Sequence, residues 1–322
     1  MIKDKIYSSI EAEPSGAYRN LNNQITSLFN NTRHDVSIKT RYKYLDIERA
    51  FCRYLCDSSP YKLQKLENIK SKHLSSYINH LKEEGVSVST LKTTASAIRY
   101  FHRLTGSKNI LLSNDALELG KRNYREYDRT WTKAEVQECL SFCRESGSWR
   151  AYFSIGYGYQ FGLRLSESIT TITPDNLKNA LDSGELWTKG KNGKERYIQI
   201  RTAGQVELIK ETLKYADTQG LHRHDKILCD NIKGGVQKGR RYVQNYISNN
   251  QHRWIDNSRI FLTDTYKKKV ERLSYHGLRY TYLNELYSDV YKETGNKDYT
   301  LRYCSNQLGH SRKSCIGVYK QM

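Results

Sequence analysis

The sequence predicts a mainly helical protein of two domains, a helical bundle followed by an α+β domain with a small antiparallel sheet. The chain has 322 residues, which is long enough for two ordinary cores. It contains only 3 prolines, and apolar residues recur at helical spacing along most of its length. Two short alternating segments flank an Asn-Gly pair, which is typical of a β-hairpin. These observations together predict the mixed second domain.

The charge of the chain indicates a polyanionic partner. Lys and Arg number 53 against 34 Asp and Glu, which gives a formal net charge of +19. Each contact between a cation and a phosphate releases counterions, so a surplus of this size favours nucleic acid over a merely solvated basic surface. The hydrophobic share of 37% and the charged share of 27% are those of a globular chain, not a disordered one.

The sequence indicates a cytoplasmic protein. It has no apolar run of about 18 residues for a membrane span, and the residues after Met1 lack the apolar stretch of a signal peptide. The 7 cysteines are scattered and odd in number, so we expect them to be reduced. Cys52 with Cys56 and Cys139 with Cys143 have the spacing of half a metal site. All four lie in amphipathic helical patterns, however, so we expect core residues and no metal.

The first part of the chain is predicted as a flexible arm over residues 1–36 and a helical DNA-binding domain over 37–110. Apolar spacing predicts helices near 38–56, 72–84 and 87–104. The third of these also places cations on one face. They form either a solvated stripe or a phosphate-contacting one, and the residues are Lys92, Arg99 and Arg103.

The second part is predicted as a linker over 111–129 and a catalytic domain over 130–322. Thr132 and Glu135 have the spacing of a helix capping box. A buried helix is predicted over 151–172. Strands are predicted over 185–189 and 196–200, and further helices over 205–215, 266–285 and 300–307. A basic stretch over 233–259 interleaves aromatic residues with cations, and its candidate DNA-binding residues are Lys238, Arg240 and Arg241.

Four short motifs follow one another in this second part. Each alone has an ordinary explanation, such as an ion pair within a helix, a solvated turn or a surface histidine. Their combination, order and spacing are what indicate chemistry. The motifs are Gly162-Leu163-Arg164-Leu165-Ser166-Glu167, Gly190-Lys191-Asn192-Gly193-Lys194-Glu195-Arg196, His276-Gly277-Leu278-Arg279, and Leu308-Gly309-His310 with Tyr319 nine residues later.

These residue types are the ones that exchange of a phosphodiester bond requires. The reaction needs a nucleophile, fixed cations for the crowded phosphorane, and an acid for the leaving oxygen. Arginine binds two phosphate oxygens and stays charged, while lysine and histidine can supply protons. A tyrosine hydroxyl, with a pKa near 10, becomes a useful nucleophile when cations surround it.

The four motifs resemble those of the tyrosine recombinase family, also called the lambda-integrase or phage-integrase family. The resemblance extends over roughly residues 37–320 and is sharpest at the motifs. It implies that the helical bundle is the SAM-like core-binding domain of the family. It also implies strand breakage and rejoining through a 3′-phosphotyrosine, with neither metal nor nucleotide cofactor.

The resemblance implies a role for each motif residue. Tyr319 would attack the scissile phosphate, and Lys191 would protonate the leaving 5′ oxygen. His276 would assist proton transfer to or from the tyrosine. Lys189 and Lys194 flank Lys191, so the turn could shift that assignment by a residue or two.

The remaining motif residues would bind the phosphate. Arg164 and Arg279 would clamp its non-bridging oxygens, and His310 would hydrogen-bond to it. Glu167 occupies the acidic position of the family that orients an arginine. The resemblance does not separate a mobile-element integrase, which we favour, from a Xer-like dimer resolvase or a type IB topoisomerase. A DNA-binding protein without catalysis is the alternative from another class.

The expected partner is double-stranded DNA that carries a specific recombination site. The family resemblance implies a homotetramer on DNA with a dimer at each site, accessory DNA-bending or directionality factors, and a nucleoid-associated location. Only Lys320, Gln321 and Met322 follow Tyr319, although many relatives place a further C-terminal segment in a neighbouring subunit. Either an earlier segment is exchanged or the natural C-terminus has been trimmed.

Overall fold

The structure is a computed structural model of the chain. It divides into two compact units, residues 1–124 and 125–322. The division falls within the predicted linker. The residues that the structure describes are 15–33, 35–59, 61, 63–122, 128–190, 193–229, 235–262, 268–270 and 272–309, with backbone only from 260 to 270.

The first unit is a helical bundle around one apolar core, as the sequence predicts. Ser37 and Ser87 accept hydrogen bonds from the third backbone N–H of the helices that they precede, which fixes where those two helices begin. The core is lined by fully buried side chains that include Phe51, Ile78 and Phe101. The α-helices are α1 (Gly16–Asn31), α2 (Ile38–Arg53), α3 (Ser71–Glu83) and α4 (Val88–Leu104).

Helix α1 differs from the flexible arm that we predicted over residues 1–36. Leu21, Ile25 and Phe29 recur at spacings of four, and all three side chains are buried in the core of the bundle. The many asparagines of this segment occupy the other faces of the helix. The polar composition concealed a narrow apolar stripe that tertiary packing stabilises. Residues 1–14 lie outside the described part of the chain.

The start of the predicted linker also belongs to the first unit. Leu111, Leu117 and Leu119 are buried against the bundle. Arg99 holds this segment, since its Nε donates to the carbonyl oxygen of Leu112 at 2.8 Å and its Nη1 to Asn114 Oδ1 at 3.0 Å. Residues 111–119 are therefore packed chain and not a free connection.

The second unit is mostly helical. The predicted capping box is confirmed, because Thr132 Oγ1 accepts from the Glu135 N–H at 3.1 Å and Glu135 accepts from the Thr132 N–H at 2.8 Å. The helices are α5 (Lys133–Glu145), α6 (Trp149–Phe161), α7 (Leu165–Thr171), α8 (Pro174–Ser183), α9 (Ala203–Thr218), α10 (Gly235–Asn250), α11 (Tyr275–Thr294) and α12 (Lys297–Gln307).

The helix that we predicted over 151–172 is in fact two helices. Gly162 ends α6 in the left-handed region at φ +58, and a β-carbon there would overlap the ring of Tyr282. The chain turns at this point and restarts as α7 after Arg164. The break therefore places the first motif at the beginning of a new helix.

Two short antiparallel hairpins occur among the described residues of the second unit. Strand β1 (Glu185–Lys189) pairs with β2 (Glu195–Gln199), so Lys189 lies opposite Glu195. This is the predicted hairpin, with its second strand one residue earlier than expected. Strands β3 (Ile260–Leu262) and β4 (Lys268–Val270) form the other. We had predicted helix from 266, so β4 is a correction, and α11 begins only at Tyr275.

The main core of the second unit lies among α5 to α10 and the first turn of α11. Trp131, Tyr157 and Phe161 are among its largest fully buried side chains. A smaller cluster joins α11 to α12, with Leu283 and Leu308 at its centre. In the described parts of the chain no helix is both long enough and apolar enough to cross a membrane.

Candidate active site

The carboxylate of Glu167 lies at the centre of the motifs. Glu167 is fully buried in the first turn of α7. One oxygen accepts from the backbone N–H of Arg164 at 2.8 Å, and the other accepts from Arg164 Nη1 at 2.5 Å. The ion pair that the sequence spacing predicted is therefore present. It fixes Arg164, whose side chain remains 29% exposed.

Arg196 is a residue of the candidate site that sequence reasoning did not single out. It extends from β2 and forms a fork-to-fork pair with Glu167, with Nη1 to Oε1 at 3.0 Å and Nη2 to Oε2 at 2.8 Å. Its Nε donates to the carbonyl oxygen of Gln307 at 2.9 Å. The side chain is only 7% exposed. Its position at the end of the hairpin motif was visible in the sequence, but nothing in the spacing indicated that it faces Glu167.

Arg279 joins the same group from helix α11. Its Nη1 lies 4.0 Å from Glu167 Oε2, and the residue has no exposed surface. Its two terminal nitrogens donate to the carbonyl oxygens of Gly162 and Leu308. We call Arg164, Arg196 and Arg279, gathered around Glu167, the arginine cluster. Arg279 and Arg196 together connect all four motifs.

The arginine cluster keeps Glu167 ionised. Burial of the carboxyl group favours its neutral form, but the hydrogen bonds and charge of Arg196 outweigh burial, with further help from Arg164. The result is a pKa lowered from 4.5 to about 2. The carboxylate thus holds the guanidinium groups of Arg164 and Arg196 in fixed positions.

His276 lies one helical turn before Arg279, and its ring meets that of Tyr280 edge-on at 5.4 Å. Its accessible surface is that of an exposed residue. Even so, the surrounding protein displaces enough water to lower its pKa from 6.5 to about 4, helped by the charges of Arg279, Arg129 and Arg164. The imidazole is therefore neutral at physiological pH.

The first hairpin approaches the arginine cluster closely. A β-carbon on Gly190 would lie 2.9 Å from Glu167 Oε1 and 3.4 Å from Arg164 Nη1. The backbone of Gly190 thus lies directly against the cluster. Lys191, the next residue and our candidate acid, lies outside the described residues, as does Asn192. The flanking Lys189 pairs with Glu195 at 3.1 Å.

The last described residue, Gly309, also lies against the cluster. A β-carbon there would come within 3.0 Å of Arg196 Cδ, and its φ is +65. The candidate residues His310 and Tyr319 follow it and lie outside the described residues. The structure therefore describes the chain up to the residue that precedes His310.

The predicted cationic stripe on α4 is only partly available to a partner. Arg99 donates to the backbone at Leu112 and to Asn114, so it has an internal role. Arg103 pairs with Asp35 at 3.0 Å, with both side chains about two-thirds exposed at 65% and 67%. Lys92 is half-buried. The prediction of Arg99 as a DNA-binding residue is therefore corrected, because its side chain binds residues 112 and 114 of the same unit.

The cations of α10 are arranged differently. Lys238 and Arg241 are exposed, and Arg240 is half-buried. Gly239 lies between them on the buried side, where a β-carbon would be 3.5 Å from Ile169 of α7. Helix α10 therefore packs against α7, and Lys238 and Arg241 are exposed to solvent.

Two family models match the sequence, and together they span most of it. Residues 129–322 match the model described as the phage integrase family. Residues 18–111 match the model described as phage integrase, N-terminal, and this range includes most of helix α1. No curated protein matches the chain.

Several solved structures share the fold over nearly the whole chain. A lambda integrase dimer bound to a COC′ core site is 14% identical, covers 94% of this chain and 95% of its own, and has a TM-score of 0.60. A lambda integrase tetramer on a Holliday junction is also 14% identical, with coverages of 99% and 84% and a TM-score of 0.57.

Two further solved structures share this fold. The Tn1549 transposon integrase in complex with transposon right end DNA is 13% identical, with coverages of 92% and 95% and a TM-score of 0.56. The XerH site-specific recombinase bound to difH substrate is 16% identical, with coverages of 95% and 91% and a TM-score of 0.56. At these identities the likeness establishes the fold.

Proposed function

Because the chain belongs to the phage integrase family of tyrosine recombinases, we propose that it cuts and rejoins DNA through a covalent bond to Tyr319. The single observation that carries the proposal is the arginine cluster. Arg196 and Arg279 draw the four motifs together around the buried carboxylate of Glu167. Such an arrangement fixes cations before any substrate arrives, which is how a site stabilises a phosphorane.

In the proposed cleavage step the Tyr319 oxygen attacks phosphorus and the bond from phosphorus to the 5′ oxygen breaks. The products are a 3′-phosphotyrosine and a free 5′ hydroxyl. The neutral imidazole of His276 is suited to accept the tyrosine proton. Lys191 is proposed to protonate the leaving 5′ oxygen, since it directly follows Gly190 beside the arginine cluster.

The phosphate is proposed to lie against Arg164 and His310. Glu167 orients the Arg164 guanidinium while 29% of that side chain stays exposed, so it can meet a phosphate from solvent. Arg279 is wholly buried and bonded to the carbonyls of Gly162 and Leu308. We propose that Arg279 stabilises the phosphate by its charge without touching it. A hydrogen bond from Arg279 to a phosphate oxygen would require it to break its bond to the Leu308 carbonyl.

Rejoining reverses these steps. A 5′ hydroxyl attacks the phosphotyrosine, the bond to Tyr319 breaks, and the phosphodiester forms again. Because the covalent intermediate retains the bond energy, the reaction needs no nucleotide. When the attacking hydroxyl comes from another duplex, the strands are exchanged.

The biological setting that we propose is movement of a mobile element at a specific DNA site. The Tn1549 integrase, whose fold this chain shares, is that of a transposon. Lambda integrase is found as a dimer on a core site and as a tetramer on a Holliday junction. By analogy we propose a homotetramer on two sites, acting on nucleoid DNA and assisted by DNA-bending or directionality factors.

The test begins with a search for the DNA site. Duplexes are selected from a random library with the Tyr319→Phe variant, which we expect to bind but not to cut. The selected sequence is then made as a nicked suicide duplex. We expect the wild-type protein to form a detergent-resistant adduct, and peptide mass spectrometry to find the DNA on Tyr319.

Two variants give the controls. Tyr319→Phe should form no adduct, whereas Tyr299→Phe, which changes a tyrosine that is 50% exposed on α12, should form it normally. An adduct on another residue, or none from the wild-type protein on the selected duplex, would contradict the proposal. Relaxation of supercoiled DNA without strand exchange would indicate a topoisomerase instead.

A further inference from the structure

The chain from Asp128 to Trp131 crosses the start of helix α11 at very short range. A β-carbon on Gly277 would overlap the carbonyl oxygen of Arg129 and lie 2.7 Å from Trp131 Cδ1. Only glycine permits this approach. Since Gly277 directly follows His276, the backbone of Arg129 is held beside the candidate proton acceptor.

A buried ion pair fixes both neighbours of Arg129. Arg259 donates to the carbonyl oxygen of Asp128 at 3.1 Å and also to that of Thr130. Its guanidinium is held by Glu135, with Nε to Oε1 at 2.6 Å and Nη2 to Oε2 at 3.0 Å. Both side chains are buried, at 8% and 1% exposure. The backbone on either side of Arg129 therefore has little freedom.

Trp131 completes the attachment to α11. Its backbone N–H donates to Thr281 Oγ1 at 2.9 Å, and that hydroxyl donates to the Trp131 carbonyl at 2.9 Å. Its indole Nε1 donates to the carbonyl oxygen of Ser274 at 2.9 Å. The segment is thus bound to α11 both before and after His276.

We propose that Arg129 is a positioning residue of the active site, placed by the crossing segment against Gly277 so that its positive charge acts on the neighbouring His276. The inference rests on the proposed function, in which the His276 imidazole accepts the proton of Tyr319. Arg129 lies outside the four motifs. It reaches the site only because the fold lays the start of the second unit over Gly277.

The charges around His276 support this role. Its ring contacts that of Tyr280 on its own helix. The positive charges that act on it come from Arg279 on the same helix, Arg164 before α7 and Arg129 on the crossing segment. Desolvation is the largest cause of its lowered pKa, and the three guanidinium groups add to it. Arg164 and Arg279 also bind or approach Glu167, so a change to either would disturb the arginine cluster as well as His276.

The first test measures the His276 imidazole directly, in the DNA-free protein, by NMR titration of labelled histidine. We expect Arg129→Ala to raise its pKa by about half a unit or more, since a like charge is removed. Arg129→Lys should restore the wild-type value. The control is Arg223→Ala, which removes an arginine whose side chain is 71% exposed and should leave the His276 titration unchanged.

The second test is single-turnover cleavage of the selected suicide duplex across pH. Arg129→Ala should move the acid limb of the rate profile to higher pH by the same amount as the NMR shift, and Arg129→Lys should move it back. A purely structural role would lower the rate equally at every pH. An unchanged His276 titration, or a shifted titration with an unchanged rate profile, would overturn the inference.

The two tests also separate this inference from the proposed function. If the wild-type protein forms no adduct at Tyr319, the proposed function fails, and a NMR titration that moves with Arg129 still shows that this residue sets the charge of His276. If the adduct forms and the titration does not move, the proposed function stands and Arg129 has no positioning role.

Discussion

The carboxylate of Glu167 is one negative charge placed among three arginines in a water-poor interior. Transfer of a single charge from water into such a place is costly, and it is offset only by close partners with good geometry. Glu167 has these in the bidentate pair with Arg196 and in two bonds from Arg164. Removal of the charge would leave buried guanidinium groups without a counterion.

Glu167→Gln should destabilise the protein by about 3–5 kcal/mol at neutral pH, because it breaks a buried ion pair by removing one partner. The folded-state pKa of about 2 lies below the ordinary 4.5, so the stabilisation is full above pH 4.5 and is lost as the pH falls towards 2. Urea unfolding across this pH range should show that the difference in free energy of unfolding between wild type and variant becomes smaller as the pH falls. The exposed Glu207→Gln variant should track the wild type throughout, and a difference that stays constant would refute this account.

At the scale of single residues the sequence predicted what lies close in the chain. The pairing of Arg164 with Glu167 and the capping box at Thr132 follow from spacings of three residues, and both are confirmed. Arg196 could not be found in this way, because it meets Glu167 from 29 positions away. Pairings of that kind depend on how elements pack, which local spacing does not contain.

At the scale of elements, the hairpin β1–β2 and the break before α7 decide where the cluster forms. Gly162 turns the chain so that Arg164 begins a helix, and Gly190 lets the hairpin approach that helix start. We predicted one helix over 151–172 because the helical spacing of apolar residues continues through this turn. Hairpin β3–β4 was missed because its strands have only 3 residues each, too few to show alternation of apolar and polar residues.

Gly190→Ala should impair cleavage while sparing the fold. Its φ is not in the left-handed region, so alanine suits the backbone, but its β-carbon would lie 2.9 Å from the Glu167 carboxylate. Displacement of the hairpin by a fraction of an ångström would shift Lys191, and misplacement of about 1 Å can cost on the order of 10²-fold in rate. Single-turnover cleavage and thermal unfolding measure the two effects.

The matched control is Gly16→Ala, where an added β-carbon meets nothing within 4 Å. This variant should cut at the wild-type rate. If Gly190→Ala also cleaves at the wild-type rate, the close approach of the hairpin has no role in the chemistry.

At the scale of the whole molecule, the two units each have their own core and share a strong positive charge. The sequence predicted two domains of this kind from length and periodicity. The sequence analysis left α1 and residues 111–119 out of the first domain. Both segments pack into its core through a few apolar side chains that stand among polar residues. The net charge of +19 predicted the class of partner without locating the contacts.

DNA binding should weaken steeply as salt rises, and α10 should contribute to that slope. Replacing Lys238 and Arg241 with alanine should reduce the slope of log K against log salt by about two, roughly one for each lost phosphate contact. The comparison is made in the Tyr319→Phe background on the selected duplex, by fluorescence anisotropy. Alanine at Lys210 and Lys214, both exposed on α9, removes the same charge. If both pairs of substitutions reduce the slope equally, the cations of α10 contact DNA no more than those of α9 do.

The arginine cluster has a consequence for the molecule when it is away from its substrate. Three guanidinium groups and one carboxylate leave a formal excess of +2 (3 − 1) within and beside a dry core. Like charges held together repel. A phosphate diester bound at Arg164, as proposed, would reduce that repulsion. Whatever binds the folded form alone shifts the folding equilibrium towards it. We therefore expect DNA to stabilise the folded enzyme, and protein made in excess of its DNA sites to unfold more readily.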